Sequence, residues 1–190
     1  MILSAKKVLE LNEKYHLIES LGERDLNNPE GIGIDVRVGE VFKLKGNGFL
    51  GVDERNTPDI EVIADIKKGD KEVTLKPGDY VLVKTIEKIT APSEKVKVKE
   101  NREVYLMPDV YPRSTLQRCG IFLRATKTDP GYSGELTFAL ANLSQCEFRL
   151  EMGARIANIV FKEVTGDLHR IYEGQWNKGR VNTKKKEKQI

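Results

Sequence analysis

The chain is poor in the residues on which most metal and thiol chemistry depends. Its 190 residues include only two cysteines and two histidines. Cys119 and Cys146 stand in no paired or metal-type spacing, so they read as small buried hydrophobes. His16 and His169 lack any ligand or triad spacing and read as structural or surface residues. No apolar run approaches the ~20 residues of a membrane-crossing helix, and no signal-type apolar segment opens the chain. These absences point to a cytoplasmic protein without a membrane partner. Charge of one sign is also scarce: the formal net charge is +3, part of it in the tail Lys184-Lys185-Lys186-Glu187-Lys188. A surface for a nucleic-acid polymer needs a stronger basic stripe.

What is present suits one globular domain. Hydrophobic residues are 39% and charged residues 32%, enough apolar material for a full core under a charged surface. The N-terminus predicts a short helix, with Ser4 as cap and Ala5, Val8, Leu9 and Leu11 at helical spacing. From about Gly31 onward the pattern is one of short strands and turns. Val41, Phe42 and Leu44 run up to Gly46-Asn47-Gly48, and Asp53 to Pro58 reads as a polar surface loop. Val73 to Leu75 and Tyr80 to Val83 read as strands on either side of Lys76-Pro77-Gly78-Asp79. Val96 to Lys99, Val104 to Met107, Ile121 to Leu123, Phe148 to Leu150 and Ile156 to Phe161 continue the series. Leu136, Phe138 and Leu140 alternate with Glu135, Thr137, Ala139 and Ala141, as in a strand with one buried face. Many short strands at close spacing predict an all-β antiparallel barrel or jelly roll. The expected division is a single domain over 1–173 and a polar C-terminal arm over 174–190.

The densest chemistry lies between Pro112 and Gly134. Arg113, Ser114, Thr115 and Arg118 combine hydroxyls with guanidiniums suited to bidentate phosphate binding. An apolar strand follows, and then the turn Asp129-Pro130-Gly131-Tyr132. If the chain doubles back there, the Asp129 carboxylate approaches the phosphate turn, and Tyr132 offers a flat ring for a sugar. Phosphate, sugar and an acid to handle water together suggest a nucleotide enzyme.

These residues also carry a family resemblance. The turn from Arg113 to Arg118 and the turn from Asp129 to Gly134 resemble two motifs of the dUTPase/dCTP deaminase superfamily. Three further segments are similar to the family in the same order: Gly33-Ile34-Asp35-Val36-Arg37, Gly153-Ala154-Arg155-Ile156-Ala157-Asn158 and Tyr172-Glu173-Gly174-Gln175. The resemblance implies a distorted β-barrel, a homotrimer with sites at subunit interfaces, and a deoxyuridine or deoxycytidine triphosphate as substrate. It implies Asp129, Arg118 and Ser114 as catalytic residues. Substrate contacts are implied for Arg113, Ser114, Thr115, Arg118, Asp129, Tyr132, Thr137, Ala139, Arg155, Tyr172 and Gln175. Asp35 is similar in position to an Asp that helps hold Mg2+, an ion otherwise carried by the phosphates. Asn158 stands where the family has a longer Gln, and Ile171 stands where it has a Lys.

Ala139 separates the activities. In the resembled deaminases a glutamate lies ten residues past the Asp of the turn and moves protons to the cytosine ring and the leaving ammonia. A methyl group cannot do this. Glu135 shares the strand face but lies roughly 13 Å away at ~3.3 Å per residue. Hydrolysis of dUTP to dUMP and pyrophosphate is therefore the favoured expectation. The alternatives are dCTP deamination, which the deaminase-like chain ends support, and a non-catalytic nucleotide-binding role. In the C-terminal arm, Trp176 is a candidate to stack on the base, and Lys178 or Arg180 to reach phosphate.

Overall fold

The computed structural model describes residues 1–189. In chain order the elements are α1 (Ala5–Tyr15), β1 (Ile18–Glu19), α2 (Glu23–Asn27), β2 (Ile34–Lys45), β3 (Phe49–Leu50), β4 (Glu54–Asn56) and β5 (Asp59–Asp65). After a 3-10 turn (Ile66–Lys68) come β6 (Glu72–Leu75), β7 (Tyr80–Thr90), β8 (Val96–Lys99), β9 (Arg102–Pro112), α3 (Ser114–Arg118) and β10 (Ile121–Arg124). The chain closes with β11 (Ser133–Asn142), β12 (Phe148–Glu151), β13 (Arg155–Val164) and β14 (Glu187–Lys188).

Helix α1 forms as its sequence predicts. Ser4 Oγ accepts from Lys7 N at 3.2 Å, His16 ends the helix in the left-handed region, and Ala5, Val8 and Leu11 are buried. The main sheet has nine strands in the order β10-β11-β7-β2-β13-β9-β8, with β1 added on β7 and β5 added on β2. Every pairing is antiparallel. Strand β2 changes partners along its length. It meets β13 over Ile34–Arg37 and β7 over Val38–Phe42, with a register shift between Val38 and Glu40. Such a shift bends and twists a strand, and the sheet curls into an open half-barrel. The expected all-β dUTPase-like jelly roll with a short N-terminal helix is what the chain forms.

Alternation fixes the inner face. In β11, Leu136, Phe138 and Leu140 are buried while Glu135, Thr137 and Ala139 face the other way. The core gathers Ile34, Val36, Ile89, Leu106, Leu140, Ile156, Ile159 and Phe161, all fully buried. Glu87 is buried among them and answers to Arg37, whose N and Nε donate to its carboxylate at 2.7 and 2.6 Å. This pair ties β2 to β7.

Two expectations are corrected. Asp53 to Pro58 is not a loop throughout, because Glu54–Asn56 is strand β4, paired with both β3 and β14. The strands flanking Lys76-Pro77-Gly78-Asp79 form as expected, β6 pairing with β12 and β7 with β11. Cys119 and Cys146 are exposed rather than buried, because each lies in a turn just outside the sheet. No helix among the described residues is long and apolar enough to cross a membrane.

Candidate functional site

Asp35 is the centre of the first cluster. Its Oδ2 accepts from Arg24 Nη1 at 3.0 Å, Arg113 Nη1 at 2.6 Å and Arg155 Nη1 at 2.8 Å. Its Oδ1 accepts from Asn158 Nδ2 at 3.3 Å. The packing leaves no room for anything larger: a Cβ on Gly33 would overlap the Asn158 carboxamide. The carboxylate is 3% exposed. Burial alone raises its pKa, but Arg113, Asn158 and Arg155 outweigh that and hold it below the ordinary carboxyl value. Magnesium takes oxygen ligands and keeps several waters. A carboxylate already surrounded by three guanidiniums does not fit that role, so the expectation of Asp35 as a metal ligand is replaced by that of an arginine hub. The hub holds Arg113 and Arg155 in place.

The rest of the phosphate turn is open. Ser114, Thr115 and Arg118 lie on α3 with exposed side chains. Neither of the two cavities beside the Asp129 turn is lined by Arg113, Ser114, Thr115 or Arg118. One chain therefore presents the predicted site as two separate halves.

The second half is a cavity of about 460 Å3 between the Thr126–Asp129 loop, β11 and the C-terminal arm. Leu82, Tyr132, Leu136, Phe138, Tyr172 and Trp176 give it apolar and aromatic walls, and Thr126, Thr137 and Asp129 add polar atoms. That volume and lining suit a small, flat ligand. Tyr132 is buried and its hydroxyl donates to Glu135 O at 2.7 Å. Burial, followed by the nearby Glu135 charge, pushes its pKa up to about 12, so the phenol stays neutral. The Tyr132 and Tyr172 rings stand tilted with centroids 6.1 Å apart. Lys127 Nζ donates to both Asp129 oxygens at 2.7 Å. The loop carrying this pair is anchored by Gly131 N to Ala91 O at 2.7 Å and Tyr132 N to Asp129 O at 3.1 Å. A smaller cavity of about 340 Å3 adjoins it, between Lys127, Asp129, Arg170 and Tyr172.

The arm forms the roof. Lys178 N donates to Ser133 O at 2.8 Å, and Asn177 Oδ1 accepts from Ser133 N at 2.8 Å. Gly134 permits this approach, since a Cβ there would run into the Lys178–Gly179 backbone. Beyond, β14 pairs with β4, and Trp176 lies between Arg55 and Arg180, whose guanidinium carbons stand 4.7 and 5.6 Å from its ring centroid. Arg180 is consumed by the arm itself: it donates to Asn182 O, Thr183 O and Glu187 Oε2 at 2.7 to 2.9 Å. Gln175 Oε1 is held by Arg55. Gln175 and Arg180 thus clasp the arm in the free protein.

Ala139 sits mid-strand in β11, opposite Arg124 of β10 and Leu82 of β7. Next to it, Tyr80, Ala141 and Phe122 stand in register across the same three strands, with Tyr80 and Phe122 about half exposed and Leu143 70% exposed beside them. Sequence reasoning missed Lys127 and Arg55. Lys127 had a signal, two residues before Asp129 in one turn, whereas Arg55 had none because its partners are distant in the chain.

A model of dCTP deaminase-like proteins matches residues 2–164. A protein of Dictyoglomus turgidum named "dCTP deaminase, dUMP-forming" is 30% identical over 177 residues, covering 90% of this chain and 85% of its own length. A "probable deoxyuridine 5′-triphosphate nucleotidohydrolase" of Aeropyrum pernix is 33% identical over 154 residues, 76% of this chain and 81% of that protein. Among solved structures, the 2′-deoxycytidine 5′-triphosphate deaminase of Agrobacterium tumefaciens is alike in fold, with a TM-score of 0.60 at 16% identity over 84% of this chain and 47% of that one.

Proposed function

The chain belongs to the dUTPase/dCTP-deaminase superfamily, and from that membership we propose that it hydrolyses dUTP to dUMP and pyrophosphate. The observation that carries this reading is the combination of a methyl group at Ala139 with Asp129 as the one carboxylate lining the larger cavity. Removing ammonia from cytosine requires a titratable group at the base. Splitting a triphosphate requires a positioned water and positive charge.

Asp129 orients a water for in-line attack on the α-phosphorus. The water oxygen bonds to that phosphorus, Asp129 takes a water proton, and the bond to the bridging oxygen breaks. Pyrophosphate leaves with the electron pair. Lys127, which holds Asp129 in the free protein, is drawn to the phosphate chain and releases the carboxylate. Arg113, Arg118, Ser114 and Thr115 meet the phosphates. Arg155 supports them through the Asp35 hub, and Tyr132 and Tyr172 flank the nucleoside.

Both halves meet in a homotrimer. Phe122, at one end of the row with Ala141 and Tyr80, follows α3 directly in the chain, and a second copy covering this row would carry its own α3 toward the neighbouring cavity. This reading is supported by the open α3 and by the separation of the halves. Asp129→Asn should lower kcat by about 100-fold or more while a non-hydrolysable dUTP analogue still binds. Mixed with inactive Arg118→Ala, it should regain about a quarter of the activity, because random mixing of cyclic oligomers rebuilds that share of two-chain sites. Full activity of Asp129→Asn would refute the catalytic assignment. No recovery on mixing would refute the shared site.

A second reading, dCTP deamination, has observations of its own. The matching family model is described by deamination, and the Dictyoglomus relative is named for it, so the comparisons weigh toward this side. Forming dUMP from dCTP removes both ammonia and pyrophosphate. Deamination of dCTP to dUTP instead releases ammonia and leaves the triphosphate whole, so ammonia from dCTP marks the second reading and pyrophosphate from dUTP the first.

A further inference from the structure

The segment that follows Arg180 holds four lysines and a single acid, Glu187. That acid is the residue on which two guanidiniums converge. Glu187 Oε1 accepts from Arg55 Nε at 3.1 Å, and its Oε2 accepts from Arg180 Nη2 at 2.7 Å. Its side chain is 15% exposed. The Arg180 hydrogen bond outweighs partial burial and, with the Arg55 bond, holds the carboxyl below its ordinary pKa.

Arg180 also faces the 460 Å3 cavity, which it lines together with Trp176 and Val181. Its other donors go to the neutral carbonyls of Gln175, Asn182 and Thr183 at 2.8 to 3.4 Å. Among the described residues, Glu187 is the one acid paired with it. The segment carrying Glu187 is fastened elsewhere. Thr183 exchanges hydrogen bonds with Thr57 at 2.9 and 3.0 Å, whereas β14 is two residues long and pairs with β4 alone. Glu187 lies four residues past the Thr183 fastening, so its carboxylate is free to leave Arg180 while the arm stays in place.

A carboxylate held by arginines presents the same charge and the same acceptor oxygens as a phosphate group. We propose that Glu187 is an autoinhibitory anion: it occupies Arg180 in the free protein, and a phosphate group entering the cavity displaces it. The proposal rests on the nucleotide reading only for the ligand's phosphate. Glu187 lowers the apparent affinity, because the ligand binds the fraction of molecules in which Arg180 is released. Arg55, which does not line the cavity, keeps hold of the displaced carboxylate and makes the exchange reversible.

The test uses Glu187→Gln, which keeps the shape and removes the charge, and Glu187→Asp, which draws the carboxylate back by one methylene. Glu187→Gln is also combined with Arg180→Ala, and Arg180→Ala is measured alone. Pyrophosphate and α,β-imido-dUTP are titrated calorimetrically against each full chain at one ionic strength. The expected result is affinity for both probes raised about fivefold in Glu187→Gln, with a smaller gain in Glu187→Asp. Adding Glu187→Gln to Arg180→Ala should bring no gain. A residue that merely holds the roof in place gives the opposite sign, since loosening the roof weakens binding. Unchanged or weakened pyrophosphate affinity in Glu187→Gln overturns the proposal. So does an equal gain in the Arg180→Ala background, which assigns the effect to net charge. A gain for pyrophosphate while no variant binds α,β-imido-dUTP upholds the autoinhibitory contact and overturns the nucleotide reading. Binding of neither probe by wild type or Glu187→Gln overturns both.

Discussion

A single carboxylate organises three arginines from distant parts of the chain. Asp35 meets Arg24, Arg113 and Arg155, and none of those contacts follows from local sequence. Removing the charge leaves guanidiniums facing one another at a buried point. Because the arginines remain about a third or more exposed, solvent screens part of the cost, and Asp35→Asn should lose about 2–3 kcal/mol of stability at pH 7. The folded pKa lies below the ordinary 3.8, so the carboxylate's contribution is present above that value and is lost as pH falls through the depressed one. The wild-type and Asp35→Asn denaturation curves should therefore converge below about pH 3.8. A gap that persists or widens there would contradict the hub. At this scale the sequence was legible where chemistry is local: Asp129-Pro130-Gly131-Tyr132 forms the expected turn because its hydrogen bonds close within four residues. Asp35 could be singled out but not given its partners, which arrive from 11, 78 and 120 residues away.

The elements were easier to foresee than their pairing. Alternation in β11 and helical spacing in α1 each report a buried face, and burial decides both. Strand β4 carries no such signal, because its three residues are half-buried polar groups that pair with the two-residue β3 and with β14 at the far end of the chain. The arm is an element in the same sense. Its roof position depends on Arg55 between Trp176, Gln175 and Glu187. Arg55→Ala should raise amide hydrogen exchange across residues 175–189 by about tenfold, an unlatching worth ~1.4 kcal/mol, while β11 and β7 stay protected. Equal protection in the variant would show that the arm is held by something other than this clasp.

The whole molecule is a curled antiparallel sheet that carries a cavity of about 460 Å3 beside the Asp129 turn and the exposed polar turn of α3 outside that cavity's lining. Its fold class was readable from strand spacing and its family from five motifs in order. The separation of the two half-sites was not readable, because motif order says which residues act and not whether one chain brings them together. The expectation of a shared site came from the resemblance alone. The account stands most directly on what leaves the active site. Purified protein is incubated separately with dUTP and dCTP, and pyrophosphate and ammonia are measured in the same samples. The account predicts stoichiometric pyrophosphate from dUTP and no ammonia from dCTP. Ammonia from dCTP, or neither product from either nucleotide, would contradict it.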